Sequence, residues 1–218
     1  DGNFGYTAVL GILSQQQFSS QVQRYSKIGF TDFKIKLSGK FQLDNDNIRH
    51  LNTTITNSRI RLDANNLWIN WRSAADYIKR LGFDFLGVEE PLAHGDFEGM
   101  QKFSNSINTP IILDESFLRF EHFKHIKSSP KNWLINLRIS KMGGILRSIE
   151  IANQAENLGL SLIIGTQVGE TSILTRAALS IANHYRDLVI AQEGAFGTYL
   201  LEKDITEDPI IFGKDGAL

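Results

Sequence analysis

The chain has 218 residues but no cysteine, only four prolines and only two methionines. Without cysteine it has no disulfide framework, no zinc–thiolate site and no thiol nucleophile. It also lacks a signal-peptide pattern and an apolar run of about 18 residues, so we expect a cytoplasmic protein without a membrane span. A formal net charge of −1 gives no overall field that would attract nucleic acid or an anionic membrane.

Short apolar runs that end in acidic residues are the most informative feature that is present. Residues 110–113 run directly into Asp114, and two earlier runs end at Asp63 and Glu89. A continuous apolar run is typical of a strand that is buried on both faces. We therefore predict interior strands whose C-terminal ends carry carboxylates to a common site.

Strand patterns and helical patterns alternate along the whole chain. The predicted strands cover residues 6–13, 33–37, 59–63, 83–88, 111–113, 133–139, 161–164 and 188–192. The clearest helices lie between them at residues 44–55, 72–81, 120–128 and 172–184, and residues 199–218 are predicted as a short helix with an irregular tail. Regular alternation predicts a parallel sheet, and eight units predict one (β/α)₈ or (β/α)₇β barrel domain over residues 1–218. An open dinucleotide-binding sheet is the less favoured alternative, because no Gly-x-Gly-x-x-Gly opens a helix.

Asp63, Glu89 and Asp114 end three consecutive predicted strands. Because active sites of such barrels lie at the C-terminal strand ends, we expect the three carboxylates to converge there. Converging carboxylates repel one another, and a divalent cation with oxygen ligands would relieve that repulsion. The all-oxygen set favours Mg²⁺, with Mn²⁺ as an alternative. Strand alternation predicts that Glu90 and Glu115 point away from this site, although either could support the ligands from behind.

Lys34 and Lys36 lie two residues apart on a predicted strand and so face the same side. Each should disfavour the other's charge, which predicts a lowered pKa for at least one of them. A lysine in that state beside a metal can act as a general base. The alternative is that the pair only neutralises the acids in a salt-bridge network.

Five motifs follow one another in the order expected for a known family. They are Lys-x-Lys at 34–36, Leu-Asp-Ala-Asn at 62–65, Val-Glu-Glu-Pro at 88–91, Leu-Asp-Glu-Ser at 113–116 and Ser-Lys-Met-Gly-Gly at 140–144. Together they resemble the enolase superfamily, in its muconate-lactonizing-enzyme-like branch (mandelate racemase/muconate lactonizing proteins). The resemblance extends over nearly the whole chain.

The resemblance implies an Mg²⁺ ion bound by Asp63, Glu89 and Asp114. It implies that Lys36 removes a proton α to the carboxylate of a small substrate, giving an enediolate whose charge the metal stabilises. Lys34 would contact the carboxylate or tune Lys36. Relatives that form homo-oligomers suggest the same for this chain. Candidates for contacting the substrate or supporting the ligands are Asn65, Lys141, Glu170 and Glu193.

Arg138 is the first departure from the pattern of this branch. It stands three residues before Lys141, where a lysine usually faces Lys36 across the substrate. Arginine is always protonated and is a poor second base, which favours one-base dehydration or cycloisomerisation with Arg138 as an electrostatic clamp. A racemase or epimerase is the alternative. Lys141 could replace Arg138 only through a register shift, since three residues reverse the facing on a strand.

Two further departures concern the substrate and the length. The end of strand eight lacks the Asp-x-Asp that dipeptide epimerases of this branch use, and we interpret Glu170 and Glu193 first as solvated loop carboxylates. Relatives carry an N-terminal α+β capping domain, and this chain begins almost at the first strand, so we expect a barrel without its cap. A Schiff-base aldolase with Lys36 as nucleophile, and a non-catalytic or incomplete barrel, remain alternative interpretations.

Overall fold

A computed structural model describes residues 4–194 and 200–217. Its eight strands are all parallel to their neighbours and follow chain order across one sheet, which curves into a nearly closed barrel. The strands are β1 (Thr7–Leu10), β2 (Asp32–Lys36), β3 (Arg59–Asp63), β4 (Gly87–Glu89), β5 (Ile111–Leu113), β6 (Trp133–Leu137), β7 (Ser161–Ile164) and β8 (Val189–Gln192). The predicted barrel is confirmed. Within these two ranges, every helix is too short or too polar to cross a bilayer.

Helices occupy the connections between strands and pack on the outside of the sheet. They are α1 (Gln15–Ile28), α2 (Phe41–Thr54), α3 (Trp71–Leu81), α4 (Phe97–Ile107), α5 (Phe123–Ile126), α6 (Ile139–Met142), α7 (Ile145–Asn157) and α8 (Ser172–His184). Ser14 and Gln17 form a reciprocal capping box at the start of α1. Gly82 ends α3 in the left-handed conformation, with φ at 70°. Both helix ends were predictable from these residue types.

The segment after β6 differs from the prediction. A strand was expected over residues 133–139, but the chain leaves the sheet after Leu137 and forms the helical turn α6. The cause lies in the two glycines that follow, since Gly143 and Gly144 adopt φ angles of 88° and 106°. Those angles let the Gly144 N–H donate back to the Ile139 carbonyl. Lys141 therefore lies on a helix, where strand alternation does not apply.

The predicted helix over residues 120–128 is also shorter than expected. A 3₁₀ turn at Phe120–His122 precedes the four-residue α5. His122 Nδ1 accepts the Leu118 N–H at 3.1 Å, which holds the chain in a turn where a regular helix would begin.

The barrel interior has an apolar side and a charged side. Ile112, Leu134, Ile163 and Ala191 from β5 to β8 form a separate apolar cluster inside the sheet. On the other side, Lys34 of β2 and Arg61 of β3 both reach Glu193, the residue after β8. These ion pairs cross the interior and link the first strands to the last.

The C-terminal segment packs back on the barrel. Of the predicted final helix and tail, residue 199 lies outside the described ranges, residues 201–213 are not helical and Lys214–Gly216 form a 3₁₀ turn. The Asp204 carboxylate accepts the N–H and the hydroxyl of Ser172 at the start of α8. The Tyr6 N–H donates to the Gly216 carbonyl at 3.0 Å. The segment thus connects α8 to the entrance of β1.

Candidate active site

Three buried carboxylates lie at the C-terminal ends of β3, β4 and β5. Asp63 is the last residue of β3 and pairs in register with Glu89, the last residue of β4. Asp114 directly follows β5. The exposed fractions of these residues are 4%, 1% and 2%, so all three are shielded from bulk water. The expected grouping of these side chains is present, because parallel strands that end together deliver neighbouring residues to one edge.

Lys34 is the central cation of this group. Its Nζ lies 3.2 and 3.3 Å from the two Glu89 oxygens, 3.1 Å from Glu193 and 3.7 Å from Asp63. Burial acts to lower the pKa of Lys34, but the charges of Glu193, Glu89 and Asp63 outweigh it and raise that pKa. The expectation of a lowered pKa is therefore wrong for Lys34. It remains charged and neutralises the acids.

Lys36, two residues along β2, has a different environment. Its side chain is 37% exposed, and its Nζ lies 3.8 Å from Asp63 Oδ2. It opens into a cavity of about 490 Å³ at the barrel mouth, which Asp63, Asp114, Arg138 and Glu193 also line. A cavity of this size suits a small ligand. Both lysines line the cavity, and Lys36 is the more exposed of the two.

The surroundings of Glu89 disfavour its negative charge. Its pKa is raised to about 8, first by burial and then by the nearby Asp63, Glu193 and Asp114, against the opposing effect of Lys34. Its Oε1 also accepts a hydrogen bond from Asn136 Nδ2 at 3.2 Å. One lysine does not fully compensate these acids, so the mouth attracts additional positive charge.

That additional charge comes from β6 and α6. Arg138 Nη2 contacts Asp114 Oδ2 directly and lies 3.5 Å from Glu89 Oε1. Lys141 Nζ lies 2.8 Å from Asp114 Oδ1 and 3.0 Å from Glu115 Oε1. Lys141 was a candidate for supporting the ligands, and α6 turns it toward Asp114, where its Nζ lies. Glu115 does not point away as alternation predicted, because it lines the cavity and shares Lys141, which is the supporting role left open for it.

The three carboxylates fit Mg²⁺ chemically, but side-chain nitrogens of neighbouring cations occupy the space between them. Three carboxylates on neighbouring strands are the hard oxygen ligands that this ion prefers. Within residues 4–194 and 200–217, however, no three His, Cys, Asp or Glu side chains are arranged to hold a metal ion. The nitrogens of Lys34, Arg138 and Lys141 lie on those oxygens instead. A metal would enter only as some of these cations move away.

Glu90 points away from the mouth, as alternation predicts. Its carboxylate accepts the backbone N–H groups of Asp114 and Ser116 and the Ser116 hydroxyl, each at 2.8 Å. Burial raises the pKa of Glu90. These bonds tie the end of β4 to the turn after β5, so Glu90 holds the Asp114 backbone in place.

Glu193 is not the solvated loop residue that the sequence suggested. It is 4% exposed, and its carboxylate contacts both Lys34 and Arg61. Burial acts to raise the pKa of Glu193, but Lys34, Arg61 and Arg138 outweigh it and lower that pKa. Glu193 is therefore a charged member of the site.

Glu170 and Asn65 lie at the rim of the cavity. Glu170 accepts the Gln167 N–H at 2.8 Å, and partial burial raises its pKa. Asn65 adopts a positive φ of 44°, and its N–H donates to Asp63 Oδ1 at 3.3 Å. Both side chains can meet a ligand, and Asn65 also orients Asp63.

Sequence reasoning missed Arg61 and Asn136. Arg61 is fully buried, with Nη1 3.3 Å from Glu193 Oε1 and Nη2 2.5 Å from Thr7 Oγ1. The signal was available, since Arg61 lies two residues before Asp63 and Asn136 two before Arg138. The period of two along a strand places such residues on the same inner face.

The chain matches the model of the family described as enolase C-terminal domain-like over residues 17–217. The chain belongs to this family. The hydrophobic dipeptide epimerase of Enterococcus faecalis is 27% identical over 191 residues, which are 86% of this chain and 54% of the relative. The N-succinyl-L-Arg/Lys racemase of Bacillus cereus is 24% identical over 204 residues, 93% of this chain and 54% of the relative. This enolase-family chain thus spans about half the length of these curated relatives.

A solved structure shows the same fold. The dipeptide epimerase from Enterococcus faecalis V583, complexed with Mg and the dipeptide L-Leu-L-Tyr, superposes with a TM-score of 0.86 at 24% identity. The match covers 96% of this chain and 59% of that chain. At that identity the likeness shows the fold alone.

Proposed function

We propose that this chain forms the barrel of an isomerase that removes and returns a proton α to a carboxylate, as a racemase or epimerase does. The observation that carries the proposal is the contrast between the two lysines of β2. Lys34 is buried among three acids, whereas Lys36 opens into the cavity beside Asp63. The similar proteins that are named as an epimerase and a racemase support this reaction class over the lyase class.

Each residue of the site has a role in this proposal. Lys36 takes the α proton from a substrate in the cavity. Asp63, Glu89 and Asp114 would hold Mg²⁺, which when bound neutralises negative charge that develops on the substrate carboxylate. Lys34 contacts Glu89 and Glu193 and orients both carboxylates beneath the cavity. Asn65 and Glu170 meet the substrate at the rim.

The substrate class follows from the names of the similar proteins. A dipeptide and an N-succinyl amino acid are both amino acids acylated on nitrogen with a free carboxylate. We propose that this chain takes a substrate of that class. Arg138 and Lys141 supply positive charge near the cavity for the carboxylate.

A one-base reaction is the second candidate, and the observation that favours it is Arg138. Inversion needs a proton acceptor and donor on both faces of the α carbon. Arg138 occupies the wall opposite β2 and stays protonated, so it gives no second base. Dehydration or cycloisomerisation on one face needs only Lys36.

Proton exchange distinguishes these candidates. The chain is incubated in deuterated water with Mg²⁺ and L-Leu-L-Tyr or N-succinyl-L-lysine, and deuterium at the α carbon is followed by NMR. Exchange with inversion supports the epimerase or racemase, and exchange without inversion supports one-base chemistry. Lys36→Met should abolish exchange, while Lys102→Met on the outside of α4 should not.

Metal binding is measured separately by titration calorimetry with Mg²⁺. We expect the chain to bind about one ion and Asp114→Asn to bind none, since two carboxylates hold Mg²⁺ poorly. Exchange that persists in EDTA, together with borohydride trapping on Lys36, would instead indicate a Schiff-base aldolase. A folded chain that neither binds Mg²⁺ nor exchanges protons would be a non-catalytic barrel.

A further inference from the structure

The guanidinium group of Arg138 lies between acids from two different strands. Its Nη2 contacts Asp114 Oδ2 directly and lies 3.5 Å from Glu89 Oε1. The side chain is only 13% exposed. Its buried Nε has no hydrogen-bond partner in the described part of the chain. The contacts with the two acids therefore hold the guanidinium group in place, although its hydrogen-bonding capacity is not fully used.

The acids at the mouth already have cations against them. The acids are Asp63, Glu89, Asp114, Glu115 and Glu193, and the cations within ion-pair distance of them are Lys34, Lys36, Arg138 and Lys141. Arg61, which lies deeper, also has Asp32 at 3.6 Å. A divalent ion added beside these cations brings further positive charge into a poorly hydrated space, where like charges repel one another.

Arg138 lies on two of the acids that would hold a metal. Among the described cations it is the one that contacts both Glu89 and Asp114. Lys141 contacts Asp114 and Glu115, and Lys34 contacts Glu89 and Asp63 but also has Glu193 as a partner. An ion that binds the first pair must displace the guanidinium group, and the adjoining cavity of about 490 Å³ has room to receive it.

We propose that Arg138 is an internal counter-ion that competes with the divalent metal for Glu89 and Asp114 and so weakens the metal affinity of the site. This inference rests on the proposed function, because it concerns the same carboxylates. The metal gains its ligands only after the Arg138 side chain moves into the cavity. Removing the guanidinium group removes the competitor and leaves the three carboxylates in place.

The test is a calorimetric Mg²⁺ titration of the chain and of Arg138→Gln, at an ionic strength of about 0.15 M. We expect Arg138→Gln to bind Mg²⁺ at least about tenfold more tightly than the unaltered chain. Lys141→Gln, which frees only Asp114, should give a smaller gain. Lys102→Gln on α4 removes the same unit of charge at an exposed ion pair outside the site and should change nothing.

A second variant and a second measurement keep the test valid if Arg138→Gln folds poorly. Arg138→Lys keeps the charge but has a shorter reach, so it should lose one acid contact and show an intermediate gain. The Mg²⁺-induced rise in melting temperature should follow the same order in all variants. Both readouts are independent of catalysis.

The outcomes separate this inference from the proposed function. Equal or weaker Mg²⁺ binding by folded Arg138→Gln overturns the inference, and the proposed function stands if Asp114→Asn still abolishes binding. Binding by Arg138→Gln but not by the unaltered chain supports the inference in its strongest form. Binding by neither chain overturns the inference and also removes the metal from the proposed function.

Discussion

The two sides of the barrel interior solve the same packing problem in opposite ways. Beneath β5 to β8 the space is filled by the apolar cluster of Ile112, Leu134, Ile163 and Ala191. Beneath β1 to β3 it is filled by charged and polar groups, chiefly Lys34, Arg61 and the Thr7 hydroxyl. Lys34 of the charged side lines the cavity at the mouth, whereas the four residues of the apolar cluster do not.

The difference shows how function is placed within the fold. Apolar side chains stabilise the barrel individually, through the surface that each one removes from water. Buried ions stabilise it only as a set, because each ion needs a partner to offset its lost hydration. Lys34, Arg61 and Glu193 therefore depend on one another for stability. The proposed reactive groups lie next to this set of ions. Changes on the two sides should have effects of different size and different origin.

The largest effect is expected for Lys34→Met on the charged side. The change leaves Glu89, Glu193 and Asp63 without their shared cation, and we expect a loss of about 3–5 kcal/mol in the free energy of unfolding. Lys36→Met is the matched control, on the same strand and face but 37% exposed, with an expected loss below about 1 kcal/mol. Urea denaturation measures both. Similar losses for the two variants would contradict a distinct buried network.

Ile163→Ala tests the apolar side. Ile163 is fully buried, and its truncation leaves a cavity that should cost about 3 kcal/mol. Ile163→Val should cost about 1 kcal/mol, because only one methylene is lost. Since no charge is involved, the loss of each variant, measured by urea denaturation, should be the same at mildly acidic pH as at neutral pH. A strong pH dependence would show that the apolar cluster is coupled to the ions.

Thr7→Val exchanges a hydroxyl for a methyl group on the charged side. The Thr7 hydroxyl accepts from Arg61 Nη2 and donates to Asp32 Oδ1 at 2.6 Å. The buried Arg61 and the partly buried Asp32 each lose a partner at nearly constant volume, so we expect a loss of about 1–2 kcal/mol. Thr175→Val on α8, whose hydroxyl donates to the Thr171 carbonyl, is the control with little expected change. Thermal unfolding would reveal whether the two substitutions differ.

The smallest effect is expected for Asp204→Asn. Asp204 lies in the C-terminal segment, outside the barrel interior, so the variant serves as a reference for both sides of that interior. Hydrogen bonds from Ser172 and Thr206 lower the pKa of Asp204 below its ordinary value of 3.8. A lowered pKa means that the stabilisation is complete above that ordinary value and is lost as the pH falls through the folded-state pKa. Asp204→Asn should therefore be slightly less stable than the unaltered chain at neutral pH. In denaturant titrations the difference should close at strongly acidic pH, and a constant difference would argue against the charge.

Much of the barrel could be predicted because its signals are local. Apolar runs bounded by charge mark the strands, and residues such as Ser14 and Gly82 mark helix ends through bonds to their own neighbours. The wrong predictions concern side chains whose environment is set by residues far away in the sequence. The pKa of Lys34 depends on acids 55 and 159 residues away, and those distances do not follow from spacing. Glu193 was misjudged for the same reason.

The strand order and the positions of Asp63, Glu89 and Asp114 at one end of the barrel follow from the amino-acid pattern alone. Alternation and strand length are properties of the backbone, and every parallel strand ends at the same edge. Which cation lies on which acid was decided only by tertiary structure. Arg138 and Lys141 reach Asp114 because β6 gives way to the turn α6, which two glycines with positive φ close. Charge pairing depends on three-dimensional distance, and distance between strands is set by the folded barrel.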